Sequence, residues 1–277
     1  MRFSLIMATI NRDQEISRFL AKLDAQTHQD FELIVVDQNS DDRLCRVIET
    51  YQNRFTIRHL RSSVTGASRS RNLGLREAKG DIIGFPDDDC WYPEDLLARI
   101  NSYFKNNSEW DVVSGSSAGE SYWDRHPGTV NQFNVWKRGI EYSVFFRRDL
   151  VLKIGELDES LGLGSGSPCW AGEITDYMLR ALNIGCHIYY DPSLAIHHPG
   201  PIHTNQSSKL DVIKPYHYAI GKGRVLRKSN APRWFFAYQC IKPLTKSLLG
   251  LIQHRPEQQQ LCWAVFQGIV QGWKAEV

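Results

Sequence analysis

The chain has 277 residues, 42% hydrophobic and 23% charged, a globular composition that excludes a fibrous or disordered protein and allows one large α/β domain with an appendage. Six scattered cysteines with no CxxC pair exclude a zinc ribbon or a disulfide framework. The net charge of +2 is uneven: residues 214–277 carry ten Lys or Arg and two Glu, a balance of +8 that leaves −6 on the rest.

Phe3–Thr9 is a short apolar run and reads as a buried strand. Helical spacing of Ile16, Phe19, Leu20 and Leu23 predicts a helix over 13–26. The run ELIVVD at 32–37 predicts a second strand, and Ser40–Asp42 offer caps for a helix reaching Tyr51. Thr56–Leu60 predicts a third strand. A helix is expected over 66–79, stopped by Gly80, followed by a strand at 81–85. Pro93 is expected to open the next helix. Strands are expected at 111–117, 142–147, 187–190 and 194–197, with a helix over 173–183 capped by Gly185. The Gly- and Ser-rich stretch 162–172 reads as a mobile loop at a site. Strands alternating with helices predict an α/β fold with a mostly parallel sheet flanked by helices.

In such sheets ligands bind beyond the carboxyl ends of the strands. Asn11 with Arg12, Asp37, and the run Asp87-Asp88-Asp89 all follow apolar strands directly. Adjacent carboxylates repel unless a cation is present. Hard divalent ions take oxygen ligands and complete their shell with water and substrate phosphates. In a turn, Asp87 and Asp89 can converge on one ion. A solvated acidic turn is the alternative, disfavoured by the buried strand before the run and Trp91-Tyr92 after it.

The segments MATINR, QTHQDFELIVVDQNSDD, GASRSRNLGLREAKGDIIGFPDDDCWYP and GEITDYMLRALNIGCHIYYDPSLAIHHP, in that order over roughly residues 3 to 200, resemble a family 2 glycosyltransferase of the GT-A fold, of the bacterial surface-polysaccharide type. The resemblance implies inverting transfer from a nucleotide-diphosphate sugar, a UDP-sugar first among them, to a saccharide or lipid-linked hydroxyl, with Mg²⁺ or Mn²⁺. It implies donor contacts at Ala8, Thr9, Asn11, Asp37, Gln38, Arg71 and Asp88. Gln38 stands where many members carry a second Asp. The resemblance implies metal ligands at Asp87, Asp89 and His198, with His197 pointing the other way. Trp91, Tyr92 and Trp170 are candidate sugar-stacking rings, with core packing as the other reading. The commoner Gly-Glu-Asp pattern at the catalytic base reads Gly-Glu-Ile here. That leaves Glu173 or Asp176 as base. Glu173 is favoured beside the Gly-rich loop, and helix capping is an alternative for either.

These readings divide the chain into a catalytic domain, 1–213, and a basic, aromatic-rich helical extension, 214–277. In the extension Lys242 and Lys246 are interleaved at helical spacing with Trp234-Phe235-Phe236, Tyr238, Ile241, Leu244, Leu248, Leu249 and Ile252. Such a pattern suits a helix lying in an anionic membrane surface, packed on the catalytic domain, or at a homodimer contact. Pro243 and the lysines argue against a spanning helix. The apolar run at the start is too short for a signal-peptide core. The expected location is therefore the cytoplasm, peripheral on the inner face of the plasma membrane. Nucleic-acid binding is disfavoured by the acidic body. A nucleotidyltransferase would carry an early Gly-rich basic loop, which MATINR lacks. A non-catalytic sugar-nucleotide binder remains open because of Ile174.

Overall fold

A computed structural model describes residues 1–199 and 212–275. In chain order the elements are β1 (Phe3–Thr9), α1 (Gln14–Asp24), β2 (Phe31–Asp37), α2 (Cys45–Tyr51), β3 (Thr56–Arg61), α3 (Ala67–Glu77) and β4 (Ile82–Gly84). There follow α4 (Leu96–Asn106), β5 (Val112–Ser117), β6 (Gly128–Thr129), β7 (Val144–Arg147), α5 (Arg148–Ile154), α6 (Glu173–Asn183) and β8 (Ile188–Ile196). Three helices end the chain: α7 (Ile213–Lys228), α8 (Arg233–Ile252) and α9 (Pro256–Lys274). One sheet runs in the order β3-β2-β1-β4-β7-β5-β8-β6. β1, β2, β3 and β4 are mutually parallel, as are β5 and β8, and β7 and β6 run against their neighbours. This is the GT-A arrangement, an α/β fold with a mostly parallel sheet.

Alternation decides which helix covers which face. Phe3, Leu5, Met7, Leu33 and Val35 share one core cluster with Ile16, Phe19, Leu20 and Leu23 of α1 and with Leu97 and Ile100 of α4. The intervening residues Ile6, Ile34 and Val36 receive α3, whose Gly74 sits so close that an added Cβ would stand 2.4 Å from Ile6 Cγ2. Glu32 is also buried. It accepts from Ser4 Oγ at 2.6 Å and from the Lys79 backbone N–H at 2.8 Å, which answers groups released where α3 ends.

Several boundaries differ from expectation, each for a local reason. Ser40–Asp42 do not cap α2, whose N-cap is Leu44 with no side-chain bond. Asp41 and Asp42 instead engage Arg43 and Arg61. Gly80 is not a left-handed stop, because α3 has already turned extended at Ala78. A glycine is needed there because a Cβ would stand 2.6 Å from the Phe3 and Ser4 backbone. Pro93 precedes α4, which starts at Leu96. The two strands expected at 187–197 are one strand, β8, bulged where Ser116 pairs with Ala195 two residues after Ser114 pairs with Tyr190. Gly185 does cap α6, with φ +84°.

Contacts divide the chain into two compact units: 1–157 with 177–200, and 158–176 with 201–277. This division by contacts falls inside α6, between Asp176 and Tyr177. Residues 200–211, just before the expected boundary at 213/214, lie outside the described residues. In the second unit α7 and α9 meet through glycines. A Cβ on Gly223, Gly268 or Gly272 would lie 2.2, 2.4 or 2.0 Å from a backbone carbonyl of the facing helix. The Gly-rich stretch forms no helix or strand, as expected, but it is internally tied. Gly162 N–H donates to Cys169 O at 2.9 Å, and Ser167 Oγ to Ser160 O at 2.5 Å. His217 on α7 bonds Pro168 O at 2.9 Å.

Candidate active site at the carboxyl ends of β1, β2, β4 and β8

At the end of β2 the Asp37 carboxylate is fully buried and engaged on both oxygens. Oδ1 accepts from the backbone and side-chain N–H of Asn39 (2.8 and 2.7 Å), an Asx turn. Oδ2 faces His59 Nε2 at 2.9 Å and Arg61 Nε at 3.6 Å. Asn39 Oδ1 then accepts from the Asn11 backbone N–H at 2.7 Å, and Asn11 takes φ +59°. Asp37 thus ties together the loops at the carboxyl ends of β1 and β2, where Ala8, Thr9 and Asn11 stand. Gln38 Oε1 accepts from Gly66 N–H at 2.8 Å at the head of α3, so this carbonyl ties two loops together and is already engaged.

After β4 the chain makes a tight turn. Cys90 Sγ donates to Asp87 O at 3.1 Å, and the turn brings Asp87 and Asp89 to one side. Its far end is latched to the end of β8. Trp91 N–H donates to His197 O (2.9 Å), His197 N–H to Trp91 O (3.1 Å), and the two rings stack at 5.2 Å. This bridge delivers His198, whose Nε2 lies 3.0 Å from Asp89 Oδ1. The His198 ring stacks on Tyr142 at 5.1 Å.

The ligating atoms of Asp87, Asp89 and His198 all lie within 4.8 Å of one another. The Pro199 carbonyl, 2.7 Å from His198 Nδ1, can only accept. Nδ1 therefore carries a proton and Nε2 faces the carboxylates, the usual orientation of a metal-binding imidazole. Two carboxylates and an imidazole fit a divalent cation such as Mn²⁺.

Fixed cations surround the cluster. Arg12 Nη1 donates to Asp89 at 2.5 Å, and its Nε lies 3.3 Å from Asp88. The buried Arg71 donates to Asp87 at 2.8 Å. These neighbours split the three acids. Burial lifts Asp87 above the ordinary carboxylate range, Asp89 adds to the rise, and Arg71 and His198 oppose it. Burial lifts Asp88 to about 6 against the pull of Arg12. For Asp89 burial is outweighed by His198 and Arg12, which hold it at about 2. The bond to Asp89 in turn raises His198. A site that holds one acid ionised while burial works against its neighbours gains from a bound positive charge.

The three candidate sugar-stacking rings each have partners within the protein. Tyr92 is 1% exposed, packs on Phe19 and Phe145, and donates to Tyr142 O at 3.3 Å. It is a core residue, because the alternation that exposes Trp91 turns Tyr92 inward. Trp91 carries the Arg18 guanidinium 4.3 Å from its ring centroid and stacks on His197, so it braces the acidic turn. Trp170 stacks on His217 at 4.1 Å. Another ring, Trp123, borders a cavity of about 410 Å³ with Ser116, Ser117, Glu120, Asp124 and Ser193. Glu120 accepts from Trp123 Nε1 and Ser117 Oγ, each at 3.0 Å. Ser117 pairs with Ile196 across the sheet, so cavity and His198 share one end of it. The sequence carried no signal for this cavity beyond a tryptophan between two acids.

In the second unit, α6 opens with Glu173 and Asp176, both buried. Asp176 Oδ1 pairs with Lys228 Nζ at 2.9 Å, and the same ammonium pairs with Asp158 at 2.7 Å. Burial would raise Asp158, but Lys228 and Ser160 hold it at about 2. Lys228 looked like one charge among ten in the basic tail.

The sequence profile described as glycosyl transferase family 2 matches residues 4–159, more than half of the chain. The chain belongs to that family. A hyaluronan synthase of Pasteurella multocida is 44% identical over 89 residues, which cover 31% of this chain and 9% of that protein. The chain spans about a third or less of the length of the curated relatives it matches first. Among solved structures, the mannosyltransferase PcManGT of Pyrobaculum calidifontis, in complex with GDP-Man and Mn²⁺, is similar with a TM-score of 0.72 at 16% identity, over 99% of this chain and 87% of that one. Staphylococcus aureus TarS residues 1–349 with UDP-GlcNAc gives 0.61 at 16% identity, over 98% and 92%. At that identity the likeness establishes the fold, and the family 2 assignment rests on the sequence match.

Proposed function

We propose that this family 2 glycosyltransferase moves a sugar, with inversion, from a nucleoside-diphosphate donor to a saccharide or lipid-linked hydroxyl in polysaccharide synthesis. The observation that carries this reading is the convergence of Asp87, Asp89 and His198 at the carboxyl ends of the strands. The solved relatives bound to UDP-GlcNAc and to GDP-Man with Mn²⁺ support a donor of this class.

Asp87, Asp89 and His198 would hold Mg²⁺ or Mn²⁺, which when bound offsets charge building on a departing diphosphate. The chain's own groups do the rest. Arg12 and Arg71 keep positive charge at the acidic turn, where it favours the leaving group. The loops at the ends of β1 and β2 receive the nucleoside, with Asp37 acting through Asn39 and Asn11. Of the two candidate bases we favour Glu173, which takes the proton from the acceptor hydroxyl. Glu173 is preferred because it directly follows the Gly-rich loop; Asp176 pairs with Lys228. The cavity with Trp123 and Glu120 suits an acceptor sugar, because a ring face and a carboxylate answer the apolar and hydroxyl sides of a pyranose.

The test is a transfer assay with a panel of nucleotide sugars and saccharide acceptors in Mn²⁺, the product anomer being read by NMR. An inverted anomeric centre is expected. Donor binding without transfer or donor hydrolysis across the panel would favour a non-catalytic binder.

A further inference from the structure

Helix α8 carries an apolar stripe that is exposed among the described residues. Trp234, Tyr238, Ile241, Leu248, Leu249 and Ile252 recur at helical spacing on one side, with exposures between 48% and 72%. The opposite side is committed to α9. Gly250 approaches Gln259, Ser247 Oγ donates to Gln259 O at 3.0 Å, and Phe236 stacks on Trp273 at 4.4 Å. A stripe of this length has a function beyond holding the fold, since large contiguous apolar patches are uncommon on monomers. The charged residues of α8 itself have one sign. Lys242 and Lys246 are exposed along one edge, Arg233 starts the helix, and α8 contains no Asp or Glu.

We propose that the outward face of α8 docks on an anionic lipid surface. The helix lies in the interface plane, with the stripe buried in the boundary region and the lysines among the headgroups. Trp234 and Tyr238 at its first turns suit that boundary, where amphipathic rings concentrate. It does not span: no helix among the described residues is long and apolar enough to cross a membrane. A second copy of the chain is a poorer occupant. A two-fold contact through this face sets one α8 against another, and α8 carries Arg233, Lys242 and Lys246 and no acidic residue, so like charge meets like. The proposal is independent of the reaction assigned above.

The experiment is flotation of the full chain with vesicles of phosphatidylcholine alone or mixed with phosphatidylglycerol, at low and high salt, alongside sedimentation velocity without lipid. The variants are Ile241→Glu with Leu248→Glu, and Lys242→Glu with Lys246→Glu. All four positions are exposed, and circular dichroism and the melting midpoint confirm that each variant folds. Flotation is expected only with the anionic vesicles. Charge reversal or high salt should weaken it by more than about tenfold, and the apolar variant should abolish it. Absence of wild-type flotation, equal flotation of the Ile241→Glu, Leu248→Glu variant, or a dimer broken by these substitutions with no vesicle binding overturns the proposal. The lysine variant and the salt series keep the test decisive should the apolar variant fail to fold.

Discussion

In the sheet unit α3 presses Gly74 against the side chains of Ile6, Ile34 and Val36, whereas in the helical unit α9 presses Gly268 and Gly272 against the carbonyls of α7. The first contact is side chain into side chain and follows the two-residue alternation of β1 and β2. The second is backbone on backbone and leaves no hydrophobic periodicity to read. The titratable groups divide along the same line. The sheet unit holds the acidic turn with Asp87, Asp89 and His198, and the helical unit holds Asp158 and Asp176 paired with Lys228.

The largest effect expected from breaking this division is at Asp89. Asp89→Ala should lower transfer by more than about a hundredfold at saturating Mn²⁺, and near-wild-type turnover would remove the cation reading. Next is Glu173→Gln, which should lower kcat by about 10² to 10⁴ with the donor KM little changed. If Asp176→Asn lowers kcat more, the base is Asp176 and its pairing with Lys228 is catalytic. On stability, Gly272→Ala should cost about 1–3 kcal/mol and more than Gly74→Ala, since a carbonyl yields less than the methyl of Ile6. Thermal melts of the two variants make that comparison. Trp123→Ala should raise the acceptor KM several-fold and leave donor binding unchanged, as steady-state kinetics with varied acceptor would show.

The smallest effect is the pH response of the helical unit. Asp158 sits at about 2, below its unfolded value. Its pairing therefore stabilises fully above about pH 4 and is lost as pH falls toward 2. The pair is partly exposed, so the contribution is below about 1 kcal/mol. Acid unfolding curves of wild type and Asp158→Asn should converge only at the acid end.

The sequence showed β1, β2, β4 and the acidic turn because buried parallel strands leave continuous apolar runs and ligand groups follow them. It did not show that Tyr92 faces the core while Trp91 braces the turn, since adjacent aromatics look alike until β8 latches one of them. Asp37 stood out as a strand-end acid, but its partners His59 and Arg61 lie on the next strand, 22 and 24 residues away, beyond any local pattern. Lys228 was hidden for the same reason, and Gly268 and Gly272 because a glycine records no apolar face. Residues 162–172 read as a loop of the catalytic domain, and the contacts of Pro168, Trp170 and Gly172 with α7 group them with the helices.

The central claim is that Asp87, Asp89 and His198 grip a divalent ion together with a diphosphate. Calorimetric titration of UDP and GDP into the wild type and Asp89→Ala, with Mn²⁺ and with EDTA, tests it most directly. The account predicts that one nucleotide binds the wild type only when Mn²⁺ is present, and that the variant binds neither. Equal affinity in EDTA, or unaltered affinity in Asp89→Ala, would contradict it.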